Sequence, residues 1–133
     1  MAGMCWGGRY AIRAGLGSNA IETDEGMKPL VDAVVALHPS NLVLLDDVRD
    51  VVVPVSIGWG VRDSVVSYKM KGQVEEIHTQ RREKGESLPD IEYKTYTPGR
   101  HGFSVRGNPD DPKGRKCLEE SVTQVLDWSR KYI

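Results

Sequence analysis

No stretch of this sequence approaches the roughly 20 consecutive apolar residues that cross a bilayer. The longest runs, Val31 to Leu37 and Val51 to Ile57, are broken by Asp32 and Pro54, so no membrane partner is expected. Cysteine is scarce: Cys5 and Cys117 stand almost at opposite ends of the chain. With no C-x-x-C pair and no second His or Cys at metal spacing, neither a disulfide scaffold nor a metal site is expected. An excess of positive charge is absent too. Eighteen Lys and Arg face nineteen Asp and Glu, a formal net charge of -1, which leaves no electrostatic footprint for nucleic acid. Met1 to Trp6 lack the basic start and apolar stretch of a secretory signal, so a cytoplasmic location is the expectation.

What is present is 133 residues, 39% hydrophobic and 28% charged, the balance of a folded chain at the length of one small domain. Val31 to Leu37 and Val51 to Ile57 are nearly continuous β-branched runs, the pattern of parallel strands covered on both faces. Pro54 has no amide hydrogen and places the start of its strand, or an irregularity, there. Ile91 to Tyr96 alternates apolar and polar residues and suits a less buried strand. Val66, Met70, Val74 and Ile77 predict a helix continuing towards Lys84 and ended by Gly85. Leu118, Val122, Val125, Leu126 and Tyr132 predict a second helix from Pro112 to Tyr132. Helices alternating with strands give an α/β class with a parallel sheet.

The most informative residues come first. Gly3-Met4-Cys5-Trp6-Gly7-Gly8 has the form G-x-C-x-G-G and runs directly into a helix-compatible segment, Arg9 to Ala14. This is the pattern of a nucleophile held on a strained strand-to-helix turn, where Gly3 and Gly7 are expected to relieve crowding. A helix N-terminus behind Cys5 favours its thiolate and leaves the Trp6 amide as an oxyanion donor. A thiolate nucleophile needs a base, and the base an orienting carboxylate. His101 and Asp63 each follow the C-terminal end of an expected strand, where open parallel sheets place their sites. The order Cys5, Asp63, His101 is the nucleophile, acid, histidine order of the α/β-hydrolase fold. Asp46 or Asp47 stands as the substitute should Asp63 lie elsewhere.

These residues resemble the dienelactone hydrolase family, particularly its eukaryotic, largely fungal members. The matching pieces are Gly3 to Gly8, His38-Pro39-Ser40, Val53-Pro54-Val55-Ser56-Ile57-Gly58 with Asp63 behind it, and His101-Gly102-Phe103-Ser104-Val105-Arg106-Gly107. The resemblance covers nearly the whole chain and corresponds to the C-terminal half of the family sequence. It implies the C-terminal part of an α/β-hydrolase domain, with a mostly parallel sheet flanked by helices. It also implies a Cys5, His101, Asp63 triad cleaving an enol-lactone or activated ester through an acyl-enzyme, with no cofactor. Arg106 and Phe103 become candidate substrate contacts, Arg106 lying one residue farther from the histidine than the carboxylate-holding arginine of bacterial members.

The absent half would carry the early strands and the loop that supplies a second oxyanion amide. A homo-oligomer or a complementing N-terminal fragment is therefore an expected partner, besides a small ester or lactone. A second reading, a non-catalytic remnant or binding module of the same fold, stands beside the hydrolase. Of the remaining candidates, His38 is expected to be a structural hydrogen-bonding residue, His78 to be solvated on its helix, and Cys117 to pack in the core.

Overall fold

The computed structural model describes residues 1–133. Strand β1 (Ala2–Met4) feeds helix α1 (Trp6–Ala14), and a short hairpin of β2 (Ile21–Thr23) and β3 (Gly26–Lys28) follows. Next come β4 (Val34–Leu37), β5 (Val55–Gly60), α2 (Lys69–Glu83), β6 (Ile91–Tyr96) and α3 (Pro112–Tyr132). The main sheet has the order β1-β4-β5-β6 with every pairing parallel. No helix is long and apolar enough to cross a membrane.

The β-branched runs are explained by burial on both faces. Val34 and Ala36 of β4 and Val55, Ile57 and Trp59 of β5 pack with Ala11 and Ile12 of α1 and Val74 of α2. The intervening residues Val35 and Leu37 point the other way, onto Trp128 of α3. A strand sandwiched in this way has no face on which polar residues are useful, so alternation disappears. Both central strands are shorter at their starts than the runs suggest. β4 begins at Val34, and β5 begins at Val55, directly after Pro54, whose carbonyl accepts the Val34 amide at 2.8 Å. Val51 makes a separate bridge to Leu16.

Helix α2 starts three residues beyond Val66, because the Val66 amide is taken by the Asp63 side chain at 2.8 Å. It ends where Gly85 takes a φ of 79°, the left-handed conformation that lets a chain leave a helix. Helix α3 spans the expected residues, with Pro112 in its first turn and Asp111 accepting the Lys113 and Gly114 amides as its N-cap. Its buried face differs from expectation. Cys117, Ser121, Gln124 and Trp128 are buried, whereas Val122 and Leu126 are 56% and 46% exposed. The reason is polar packing: Gln124 donates to Ser56 at 2.6 Å and accepts from the Tyr96 hydroxyl at 2.5 Å, so the helix turns these groups inward.

His78 is a second correction. It is not solvated but 1% exposed, with Nε2 2.8 Å from the Val48 carbonyl and Nδ1 2.5 Å from the Tyr93 hydroxyl. The carbonyl can only accept, so Nε2 carries the proton and Tyr93 donates to Nδ1. Burial holds the His78 pKa below its usual range. The hairpin β2–β3 is additional to the elements the sequence predicts; its three-residue strands lie almost wholly on the surface and so carry no burial pattern.

The packing predicts a contrast between two truncations. Ile57→Ala, at a 1% exposed position, should lower the unfolding free energy by about 2–5 kcal/mol. Val122→Ala, on the exposed side of α3, should change it by less than about 0.5 kcal/mol. Urea unfolding of the two variants against the parent checks both values.

Candidate active site

The register of β1 on β4 sets the site. Met4 lies opposite Leu37, so the next residue of each strand leaves the sheet at the same place. Cys5 turns there with φ 52° and ψ -124°, a conformation that L-residues rarely adopt. Its amide lies 3.0 Å from the Leu37 carbonyl and 3.1 Å from His38 Nδ1. The turn is tight on one side only. A Cβ at Gly3 would overlap the Gly7 carbonyl and come within 2.9 Å of Ala11 Cβ, and one at Gly8 would meet Pro39 at 3.0 Å, while one at Gly7 would meet nothing within 4 Å. The expectation that Gly7 relieves crowding is therefore corrected: the requirement falls on Gly3 and Gly8.

Asp63 and His101 arrive from neighbouring strand ends that are laced together. The Val61 and Arg62 amides donate to the Tyr96 and Gly99 carbonyls at 3.1 and 2.9 Å. Asp63 is fixed before it meets the imidazole, because its Oδ1 accepts the Val65 and Val66 amides at 2.8 Å each. His101 Nδ1 then lies 3.1 and 2.9 Å from the two Asp63 oxygens, and Nε2 lies 2.9 Å from Cys5 Sγ. The three expected residues thus form one continuous hydrogen-bonded chain, with the His101 and Asp63 side chains 9% and 2% exposed. Asp47, the substitute acid, is elsewhere: fully buried, it pairs with Arg9 and Arg13 at 2.7 and 2.9 Å.

Charge is distributed along this chain by identifiable contacts. The Cys5 thiol is held below its ordinary pKa by hydrogen bonds from Ser40 and then His101, with the Trp6 amide adding to them against a counteracting burial. Burial opposes a charge on His101, but hydrogen bonds to Cys5 and Asp63 and the Asp63 charge outweigh it and raise its pKa. Both directions favour a thiolate beside an imidazolium. His38 is the opposite case: burial pushes its pKa down to about 4. Since Nδ1 accepts the Cys5 amide, Nε2 carries the proton and donates to Ser104 Oγ at 2.7 Å.

The remaining candidates are placed as follows. Trp6 is 59% exposed, and its ring lies against that of Tyr10 with centroids 4.3 Å apart. Phe103 is 4% exposed, stacked on Tyr96 and set edge-on to His38. Little of its side chain is exposed, and it borders the same cavity as His101. Arg106 lines a cavity of about 470 Å³ with Arg62, Arg100, His101 and Lys113. None of these three arginines nor Lys113 is in an ion pair; Asp111, whose carboxylate caps α3, is the one acid on the cavity wall, so the lining is net cationic and suits an anionic group. No three His, Cys, Asp or Glu side chains are grouped as a metal ion would need. Ser40, which the sequence pattern does not single out, places its hydroxyl 3.4 Å from Cys5 Sγ. Its one sequence signal is its position just past the strand that pairs with the nucleophile strand.

A strained strand-to-helix turn at the C-terminal edge of a parallel sheet, with helices on both faces, defines the α/β-hydrolase fold. The chain belongs to the dienelactone hydrolase family, whose sequence profile it matches over residues 1–133. Among solved structures it resembles a protein described as a dienelactone hydrolase from Klebsiella pneumoniae, with TM-score 0.62 and 18% identity over 98% of this chain and 51% of the other. A structure described as m3DLH gives TM-score 0.70 and 19% identity over 99% and 51%. Esterase 2 of Thermogutta terrifontis, in a form phosphorylated by paraoxon, gives TM-score 0.59 and 18% identity over 95% and 52%. No curated protein sequence matches the chain. The chain spans about half the length of these solved structures.

The asymmetry of the turn is testable. Gly7→Ala should fold normally and gain stability of up to about 1 kcal/mol, as helix propensity allows. Gly3→Ala should lose stability and, where it folds, slow thiol labelling of Cys5. Thermal unfolding with a labelling assay separates the two; equal effects at both glycines would contradict the geometry.

Proposed function

We propose that this chain carries the catalytic residues of a carboxylic ester hydrolase acting on an enol-lactone or similarly activated ester. The observation that supports the reading most is the unbroken series Asp63, His101 Nδ1, His101 Nε2, Cys5 Sγ, in which every contact lies between 2.9 and 3.1 Å. In this reading the Cys5 thiolate attacks the acyl carbonyl. The Trp6 amide supports the oxyanion, and the imidazolium passes its proton to the departing enolate or alkoxide as the C–O bond breaks. The product is a thioester on Cys5. His101, now neutral, takes a proton from water, the hydroxide adds to the thioester, and the thiolate leaves. Asp63 holds Nδ1 protonated throughout and stabilises the transient positive charge. The cationic cavity beside His101 favours a substrate that carries a carboxylate, with Arg106 the residue proposed to meet it.

An activated leaving group fits the chemistry. With one oxyanion amide identified on this chain, an enolate or phenolate is expelled far more readily than a simple alkoxide. Loss of one donor costs about 100- to 1,000-fold in turnover in a well-studied protease. Hydrolysis of aryl esters by the 133-residue chain should accordingly be slow. An acyl adduct on Cys5 should still be visible by intact mass after mixing with the ester, and absent in Cys5→Ala. Turnover that survives Cys5→Ala would overturn the assignment of the nucleophile.

We further propose that the domain is completed by a partner, either a second copy or a fragment supplying N-terminal strands. β1 covers Val35 to Leu37, so the unpaired edge on this side of the sheet lies on β1. Beside it Met1, Met4 and Trp6 are 50%, 39% and 59% exposed. An open edge flanked by apolar side chains recruits pairing partners. Size-exclusion chromatography with light scattering should report an oligomer or a complex; a cooperative, monodisperse 14.8 kDa species would refute this proposal. The alternative, a remnant or binding module that binds but does not turn over, would appear as ligand binding without a Cys5 adduct.

A further inference from the structure

We propose that Ser40 is a further catalytic residue: its hydroxyl donates a hydrogen bond to the Cys5 thiolate and fixes the pH range over which that thiolate is available. The inference rests on Cys5 being the nucleophile. Ser40 is 3% exposed, and its hydroxyl makes one contact within the protein, to Cys5 Sγ at 3.4 Å. A buried hydroxyl normally has a partner, and here that partner is the reacting sulfur.

The placement is enforced by backbone. The Ser40 amide donates to the Cys5 carbonyl at 3.0 Å, so the segment after β4 that bears the hydroxyl is tied directly to the turn that bears the thiolate. The direction of the bond follows from the charge. With the thiol proton transferred to His101, the sulfur can only accept, and Ser40 must donate. The thiolate then has two side-chain donors: the His101 imidazolium, which gives its proton to the leaving group during the reaction, and Ser40, which keeps its own.

The charged and titratable groups around the sulfur are few. His101 contacts it directly, Asp63 stands behind His101, and neutral His38 lies edge-on to His101 with ring centroids 5.1 Å apart. Arg106 acts on His38 from the loop after His101. None of these groups other than His101 donates a side-chain hydrogen bond to the sulfur, so losing the Ser40 hydroxyl is not compensated by another side chain. The lowered pKa of Cys5, for which the Ser40 contact is the leading cause, agrees with this.

The chemical effect has two sides. A donor that stabilises the resting thiolate raises the fraction ionised at low pH, and it also makes each thiolate a weaker nucleophile. For every tenfold fall in acidity, intrinsic thiolate reactivity towards a disulfide rises roughly 3-fold. Removing the hydroxyl should therefore make the chain slower below the parent's midpoint and faster above the variant's own. The two rate profiles should cross.

The experiment is the pH profile for reaction of Cys5 with dithiodipyridine in the full chain, with modification at Cys5 and buried Cys117 separated by peptide mapping. Ser40→Ala should move the midpoint to higher pH. For each tenfold loss of acidity, its rate should be roughly 3-fold lower at the acid end and 3-fold higher at the alkaline end. Ser40→Thr, which keeps the hydroxyl, should retain the parent midpoint. If Ser40→Ala folds poorly, Ser40→Gly replaces it as the variant without a donor. A midpoint unchanged in a folded variant lacking the hydroxyl overturns the proposal and leaves Ser40 a packing residue, whatever the effect on thermal stability. The disulfide probe needs no ester, so a failure of the hydrolase reading would appear only in the acyl-adduct assay.

Discussion

The left-handed backbone of Cys5 is the constraint on which the site depends. It is imposed by a short parallel pairing: Met4 against Leu37 brings the end of β1 and the end of β4 to one point, and the chain must turn sharply there to begin α1. Strain of this kind costs roughly 1–3 kcal/mol and persists only when surrounding contacts over-determine it. Here they are the Leu37 carbonyl and His38 ring on the Cys5 amide, the Ser40 amide on the Cys5 carbonyl, and the absence of a Cβ at Gly3. Helix α1 is itself held by Ala11 and Ile12 in the main core. Core packing, strand register and the position of the sulfur are thus one problem with one solution.

How much of this is legible in the sequence depends on the kind of signal each part leaves. β6 and α3 can be bounded from sequence because alternation in Ile91 to Tyr96, and Asp111 with Pro112, are local chemical marks of a strand and a helix start. The apolar run extends ahead of β5, which begins just after Pro54 as the missing amide suggests, because Val51, in its bridge to Leu16, and Val53 are buried outside the strand, and burial alone does not mark a strand. The face of α3 is misread for the converse reason. Ser121 and Gln124 are buried for their hydrogen bonds, which an apolar count cannot register. The convergence of Cys5, Asp63 and His101 is readable from strand-end position and chain order. Ser40 is not, since nothing in a Pro-Ser dipeptide announces that a thiol 35 residues away in sequence will approach it.

The three histidines of this chain show how environment assigns roles to one side chain. His78 and His38 are each 1% exposed with both ring nitrogens engaged by partners that suit a neutral ring. Both are pushed towards the uncharged form and serve as rigid hydrogen-bonding spacers, His78 between α2, β6 and the loop at Val48, His38 between the Cys5 turn and the His101 loop. His101 differs in facing a carboxylate on one side and a thiol on the other. That pair of partners rewards a proton, and the ring becomes the titrating member of the set.

Tyr96 ends β6, and its hydroxyl is bonded to Gln124 in the second half of α3. The loop bearing His101 therefore spans two points that are already tied to each other through the sheet and helix. In polymer terms it is an arch of fixed chord, and its closure entropy is set by the tyrosine–glutamine tie instead of by contacts of the imidazole. The histidine can change partners during a reaction without the loop having to find its ends again.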